Sequence, residues 1–287
     1  MIRDRAISTP PTRRWWRFAG VLSLLALVTL WRRARRPSND RHWSPEYARI
    51  PWFEIKGDEI TIHNFRHCDY RAETDFTVSW ETKTVRLSNL RGVDLFMSYW
   101  GSRHIAHTLL SFDFGAEGRV CNSIETRREF GETYSAGRGF FRHYELCHVV
   151  GDERDLIRVR TNYRTNEDVY LYPLLKGDPG TYRALFLSYV RTANHLRVHP
   201  RWYNAATDNC TTNMQVIARA SGYASAWDWR ILLSGHLDGL LYQRGIIPSP
   251  LPFAETRIRA RINERARNAG RAEDFSEQIR AGLAPSA

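Results

Sequence analysis

The sequence predicts an α+β fold, and three observations carry that reading. Runs rich in β-branched and aromatic residues occupy much of the stretch between residues 59 and 174. Helical periodicity takes over after Asp178-Pro179-Gly180. The 287 residues include 10 Trp, 13 Tyr and 13 Phe, enough apolar surface to offset chain entropy in a folded body. Strands first and helices later is the order of an α+β domain.

The chain begins with an apolar stretch between arginine clusters. Phe18 to Trp31 reads FAGVLSLLALVTLW, fourteen residues without a charge, preceded by Trp15 and Trp16. A membrane span takes about 20 apolar residues. Counting from Trp15, with Arg17 snorkelling, gives seventeen positions. Trp at both ends matches an aromatic belt. A cleaved signal peptide is the rival reading, but Arg32-Arg33-Ala34-Arg35-Arg36 stands where a small-residue cleavage site belongs. A buried helix is opposed by arginine on both flanks. Residues 1–36 are therefore expected to form a membrane anchor, a single N-terminal transmembrane helix. Five arginines precede it and four follow, so charge does not orient it.

Arg36-Pro37-Ser38-Asn39-Asp40 reads as a linker. Strands are expected at Glu59–Phe65, Val93–Trp100, Ile105–Phe114, Val120–Thr126, Tyr144–Val150 and Val169–Leu174. Gly115-Ala116-Glu117-Gly118 supplies a hairpin-type turn between two of them. Tyr182, Leu185, Phe186, Tyr189, Ala193 and Leu196 lie on one helical face, which Pro200 ends. Cys210–Ala220 reads as a second helix with Asp208 or Asn209 as N-cap, and His236–Gln243 as a third. The domain reading is an anchor at 1–36, a body at 37–253 and a basic tail with helix-forming stretches at 254–287.

Charge excludes one class of function. The net charge of +11 first suggests a phosphate-rich partner. Residues 1–36 hold nine arginines against one acid, +8, and residues 254–287 contribute +2. The body is left near +1, so a nucleic-acid reader has no electrostatic footprint. Eight of the eleven excess positive charges thus flank the anchor, where they favour anionic headgroups.

Four cysteines are too few for a disulfide scaffold. Cys68, Cys121 and Cys147 read as core thiols or as including one disulfide. No H-E-x-x-H, paired C-x-x-C, G-x-S-x-G, P-loop or G-x-G-x-x-G pattern occurs. His63, His67 and Cys68 form no closed ligand pattern, so neither a metal nor a cofactor is expected.

Cys210 is the informative thiol. It stands at a helix start, in Asn209-Cys210-Thr211-Thr212, where local positive potential and free N–H groups favour a thiolate. The same N–H groups can hold an oxyanion. A buried inert thiol is the plainer alternative. Nucleophilic use needs a base, and His107, inside an apolar strand, is the preferred one. A core histidine bonded to backbone is the alternative for His107. His104, by Gly101, reads as a loop residue. Glu125 lies across the hairpin, where it can come near His107 and orient the ring.

Several blocks resemble the bacterial Lnb N-terminal periplasmic domain family. They include Asn64-Phe65-Arg66, Ser98-Tyr99-Trp100-Gly101, Ile105-Ala106-His107-Thr108 and Ser123-Ile124-Glu125-Thr126-Arg127. They continue with Gly139-Phe140-Phe141-Arg142, Glu153-Arg154-Asp155-Leu156, Leu171-Tyr172-Pro173, and Trp202-Tyr203-Asn204 through Asn209-Cys210-Thr211-Thr212. The blocks run in family order over roughly residues 45–245. The resemblance implies a papain-like thiol fold in circularly permuted order, His before Cys, similar to retinol acyltransferase-like proteins and NlpC-type peptidases. It maps the family's His to His107 and its Cys to Cys210. Glu125, Arg127 and Tyr203 fall in family motifs without an assigned role.

Named members of the family move an acyl chain from a phospholipid to a lipoprotein's N-terminal amine. They continue into a C-terminal membrane part, and this sequence has no apolar segment after residue 250. The expectation is a thiol acyltransferase or hydrolase with Cys210, His107 and Glu125 as its catalytic set. Its partners would be membrane lipid and a lipoprotein or envelope peptide. It would be held at the bacterial inner membrane with its catalytic domain in the periplasm. A thiol peptidase or amidase acting on envelope peptides is the alternative, and a non-enzymatic envelope binding module is a third reading.

Overall fold

The computed structural model describes residues 12–34, 36–174, 179–220 and 228–283. Arg3, Arg5, Arg35 and Asp178 of the sequence reading lie outside them, as do the final residues 284–287. The side chains of Trp15, Trp16 and Trp31 are likewise not described. The chain divides into two compact units, Met1–Ser38 and Asn39–Ala287.

In the first unit, α1 (Thr12–Ala34) is a 23-residue helix. Its uncharged stretch is fourteen residues, with arginines inside both ends of the helix. That stretch falls short of a bilayer core. Among the described residues, no helix is long and apolar enough to cross a membrane.

The second unit is α+β, built on a mixed eight-stranded sheet. Its strands are β1 (Trp52–Lys56), β2 (Glu59–Tyr70), β3 (Phe76–Arg86), β4 (Gly92–Trp100) and β5 (Ala106–Asp113). Then come β6 (Arg119–Arg127), α2 (Ala136–Gly139), β7 (Glu145–Gly151), α3 (Glu153–Leu156), a π-turn at Val159–Tyr163 and β8 (Glu167–Pro173). Helices α4 (Pro179–Val198), α5 (Cys210–Ala220), α6 (Leu237–Gln243), α7 (Phe253–Ala260), α8 (Asn263–Ala269) and α9 (Phe275–Gln278) follow. The sheet order is β1-β2-β7-β6-β5-β4-β8, with β3 paired to β2. Neighbours are antiparallel except β2 and β7.

All six strands expected from the sequence are present, and β1 and β3 were not anticipated. The helix expected from Cys210 to Ala220 has those bounds. Asn209 is its cap, accepting Thr211 N–H and Thr212 N–H on Oδ1, both at 2.9 Å.

Strand side chains alternate between two faces. One face packs Leu95, Leu110, Phe112, Ile124 and Leu146 against Phe186, Tyr189 and Val190 of α4 and Ile217 of α5. The other packs Phe96, Leu109, Cys121, Cys147, Val149 and Leu171 against Ile262, Ala266, Ala269, Phe275 and Ile279. The segment read as a basic tail therefore covers one face of the sheet. Its arginines mask an apolar repeat, and Arg280 is drawn inward to Asp94 and Glu153, both at 2.6 Å. All four cysteines are free and buried, so the disulfide reading is not realised.

Candidate active site

The ladder between β5 and β6 runs from Asp113↔Arg119 to Leu109↔Ser123. Continued by two residues, the register sets His107 opposite Glu125. Each strand goes on past that point with its other neighbour, β5 with β4 to Tyr99↔Ala106 and β6 with β7 to Arg127↔Glu145. The N-terminus of α5 meets β5 and β6 at this opening. By strand parity His107 shares the face of Leu109, whereas Cys210 belongs to the cluster on the opposite face. The opening between the strands is what lets thiol and imidazole meet.

Glu125 is the centre of the polar network. The Ser123 hydroxyl donates to Glu125 Oε1 at 2.6 Å and accepts from His107 Nε2–H at 2.7 Å. His107 Nε2 is also 3.1 Å from Glu125 Oε1. Arg160, on the π-turn, donates from Nη2 to the same oxygen at 2.8 Å. Arg160 Nε lies 3.9 Å from Glu167, which accepts from the Ser98 hydroxyl at 2.6 Å. With Nε2 committed to Ser123 and Glu125, Nδ1 is the ring nitrogen left for the thiol.

Electrostatics follows from this arrangement. Burial works against charge on Glu125, but the His107 charge and hydrogen bond, then Arg160 and Ser123, hold it well below the usual carboxylate range. Burial also opposes a charge on His107, yet Glu125 and then Cys210 raise it to about 9. For Cys210, burial pushes upward. The charge and hydrogen bond of His107, then the Thr108 N–H and hydroxyl, bring it down to about 7. Near neutral pH the pair can exist as thiolate and imidazolium, the reactive form of a nucleophilic cysteine.

The three residues predicted from the sequence thus come together. His104 does not join them; its Nδ1 lies 2.8 Å from His236 Nε2. Ser123, Arg160, Thr108 and a set of tyrosines were missed. Tyr134, Tyr189 and Tyr203 surround the sulfur; burial, then the Cys210 charge, raises all three phenols. Ser123 carried a readable signal, since it stands two residues from Glu125 and so on the same strand face. Arg160 carried none, because a π-turn has no apolar period.

The cap narrows the choice of oxyanion donors. Asn209 occupies the Thr211 and Thr212 amides, which leaves the amide of Cys210 itself at the helix start. A separate open cavity of about 400 Å³, lined by Arg191, His195, Arg201 and Asn213 among others, does not include Cys210. Among the described residues, no cluster of three or more His, Cys, Asp or Glu is placed to hold a metal.

Fold and site together define an α+β protein with a cysteine–histidine–glutamate constellation where a sheet opens onto a helix start. The family model of the Lnb N-terminal periplasmic domain matches residues 76–235, more than half of the chain. The chain belongs to that periplasmic domain family. The match contains Cys210, His107, Glu125, Ser123 and Arg160. Comparison with curated proteins and with solved structures finds no match.

Proposed function

We propose that the protein is a membrane-anchored periplasmic thiol enzyme that transfers acyl groups, with lipid as donor and a lipoprotein N-terminal amine as acceptor. The observation that carries this reading is a buried thiol lowered to about 7 beside an imidazole raised to about 9. The Cys210 thiolate attacks the ester carbonyl, and the oxyanion is held by the Cys210 amide. The intermediate collapses as the His107 imidazolium gives its proton to the leaving alcohol, leaving an acyl-thioester. The acceptor amine then attacks the thioester, neutral His107 takes the amine's proton, and Cys210 departs as thiolate. Glu125 orients His107 and stabilises its charge, with Ser123 fixing the tautomer.

The papain-like fold in permuted order belongs to the same proposal. A strand of the mixed sheet supplies the histidine first and a helix start supplies the cysteine later, which supports it. Anchoring belongs to it too: α1 presents an exposed apolar surface from Phe18 to Leu30 with arginine at both ends.

Mass spectrometry of lipoprotein N-termini, with and without the protein, tests the acyl transfer. N-acylation that depends on the protein and disappears with Cys210→Ser and His107→Ala is the expected result. Unchanged acylation in the variants overturns it. Cleavage of peptidoglycan fragments with no acyl transfer replaces it with the amidase reading.

A further inference from the structure

The two strand connections that frame the site also carry exposed aromatics. The links from β4 to β5 (residues 101–105) and from β6 to β7 (residues 128–144) both leave the sheet at the end holding His107 and Glu125. Segment 228–236 packs on the first link. Gly235 N–H donates to His104 O at 3.0 Å, and the Ser234 hydroxyl donates to Ala106 O at 2.8 Å. The second link reaches the sulfur's surroundings, since Tyr134 feels the Cys210 charge and Gly139 packs on Tyr203.

Trp100, Phe130, Tyr134, Phe140, Phe141 and Trp229 are 40–68% exposed. Among the described residues of Asn39–Ala287, no other Trp, Tyr or Phe is as exposed. Exposed aromatics gathered on segments at one end of a sheet mark an interaction surface. Its charge is one-sided. Arg103, Arg138 and Arg142 are exposed and form no ion pair among the described residues. Of the acids on these segments, Glu129 pairs with Arg41 and Asp228 with Arg230, and Glu132 accepts the Glu129 N–H at 2.9 Å and lies 3.0 Å from His143 Nε2.

We propose that this end of the domain docks on an anionic lipid bilayer. The aromatics enter the boundary between headgroups and acyl chains, and the three arginines meet lipid phosphates. A two-fold contact with a second copy would set the same arginines against one another, which argues for lipid. Docking brings an ester carbonyl to Cys210 without drawing the lipid through water. The proposal rests on the acyl-transfer reading for its purpose and on the surface alone for its geometry.

The test uses the full chain with Cys210→Ser, in nanodiscs of mixed phosphatidylglycerol and phosphatidylcholine. A fluorophore is placed by Phe141→Cys, by Ile105→Cys, or by Ala116→Cys at the opposite end of the sheet. Nitroxide on the lipid chains is expected to quench the label at 141 and 105 and to spare 116. Adding Arg138→Glu and Arg142→Glu is expected to weaken docking by about tenfold or more. Equal quenching at all three positions, or none at 141 and 105, overturns the proposal. So does cross-linking between copies at 141 with no lipid quenching. Because this protein lacks the thiol, quenching at 141 and 105 with an inert Cys210 in the native chain leaves the docking intact and removes the enzyme reading. In the native background, Phe140→Ser with Phe141→Ser is expected to cut transfer from bilayer ester while Cys210 labelling by a soluble thiol reagent stays within about twofold.

Discussion

Two of the buried arginine–carboxylate networks on this sheet, those of Arg66 and Arg160, differ in whether they close. In the first, Arg66 on β2 donates from Nε and Nη2 to the two oxygens of Asp155, both at 2.8 Å. Asp155 Oδ2 also accepts the Cys68 amide at 3.0 Å. Both carboxylate oxygens are filled, and the pair ties β2 to α3 while Arg66 Nη1 donates to the Glu46 carbonyl at 3.0 Å. In the second, Arg160 meets Glu125, but Glu125 spends part of its charge on His107. The surplus passes through the imidazole to Cys210. The lesson is that the same ingredients build a brace when complete and a proton relay when one member is left to face a thiol.

Removing the far end of the open network is expected to have the largest effect. Cys210→Ser should lower acyl transfer by about 10³-fold or more while the thermal unfolding profile is unchanged. Loss of folding instead of activity would make Cys210 a structural residue. The closed network should respond the opposite way. Asp155→Ala leaves a buried guanidinium unpaired and should cost about 3–5 kcal/mol in urea unfolding. The folded fraction should still label at Cys210 at the native rate, and a slowed rate would join the two networks.

Glu125→Gln keeps shape and removes charge. His107 then loses its main support, its pKa falls, and the Cys210 thiol rises. Alkylation at pH 7 should slow by about fivefold for the first unit the thiol rises and about tenfold for each unit after that. The native profile follows from the same signs. Below about 7 the thiol of Cys210 is protonated, and above about 9 the imidazolium of His107 is lost. The rate kcat/KM should therefore be bell-shaped between these limbs, and Glu125→Gln should bring the limbs together. A profile that is flat from pH 6 to 8 contradicts the ion pair. Ser123→Ala is the smallest change expected, about 1 kcal/mol or roughly fivefold in kcat, because Glu125 still reaches His107 directly.

Much of this was legible because residue type and spacing are local signals. The Asn209 cap and apolar period define the helix that presents Cys210, and hairpin register brings Glu125 to His107. The missed elements have physical reasons. In β3, Phe76, Val78 and Trp80 alternate with Thr77, Ser79 and Glu81 as a half-buried strand should, but Thr82, Lys83 and Thr84 then break the pattern. Ile262, Ala266 and Ala269 keep helical spacing in α8, but surrounding arginines made the segment read as a solvated tail. Arg160 was invisible, because its role depends on a turn packed against β8 and α8. The pairing of thiol and imidazole from opposite faces depends on where a ladder stops, which no spacing rule encodes.

The burial of all four thiols has a consequence for oxidation. In the folded chain, burial pushes Cys68 and Cys147 up to about 12 and raises Cys121 as well, so an oxidant finds thiolate only at Cys210. The unfolded chain enjoys no such discrimination, since four ordinary thiols are then open to pairing. In an oxidising compartment such as the periplasm, maturation is a race between burying these cysteines and cross-linking them wrongly. The sheet that assembles the nucleophile is also what keeps its three sister thiols out of disulfide chemistry.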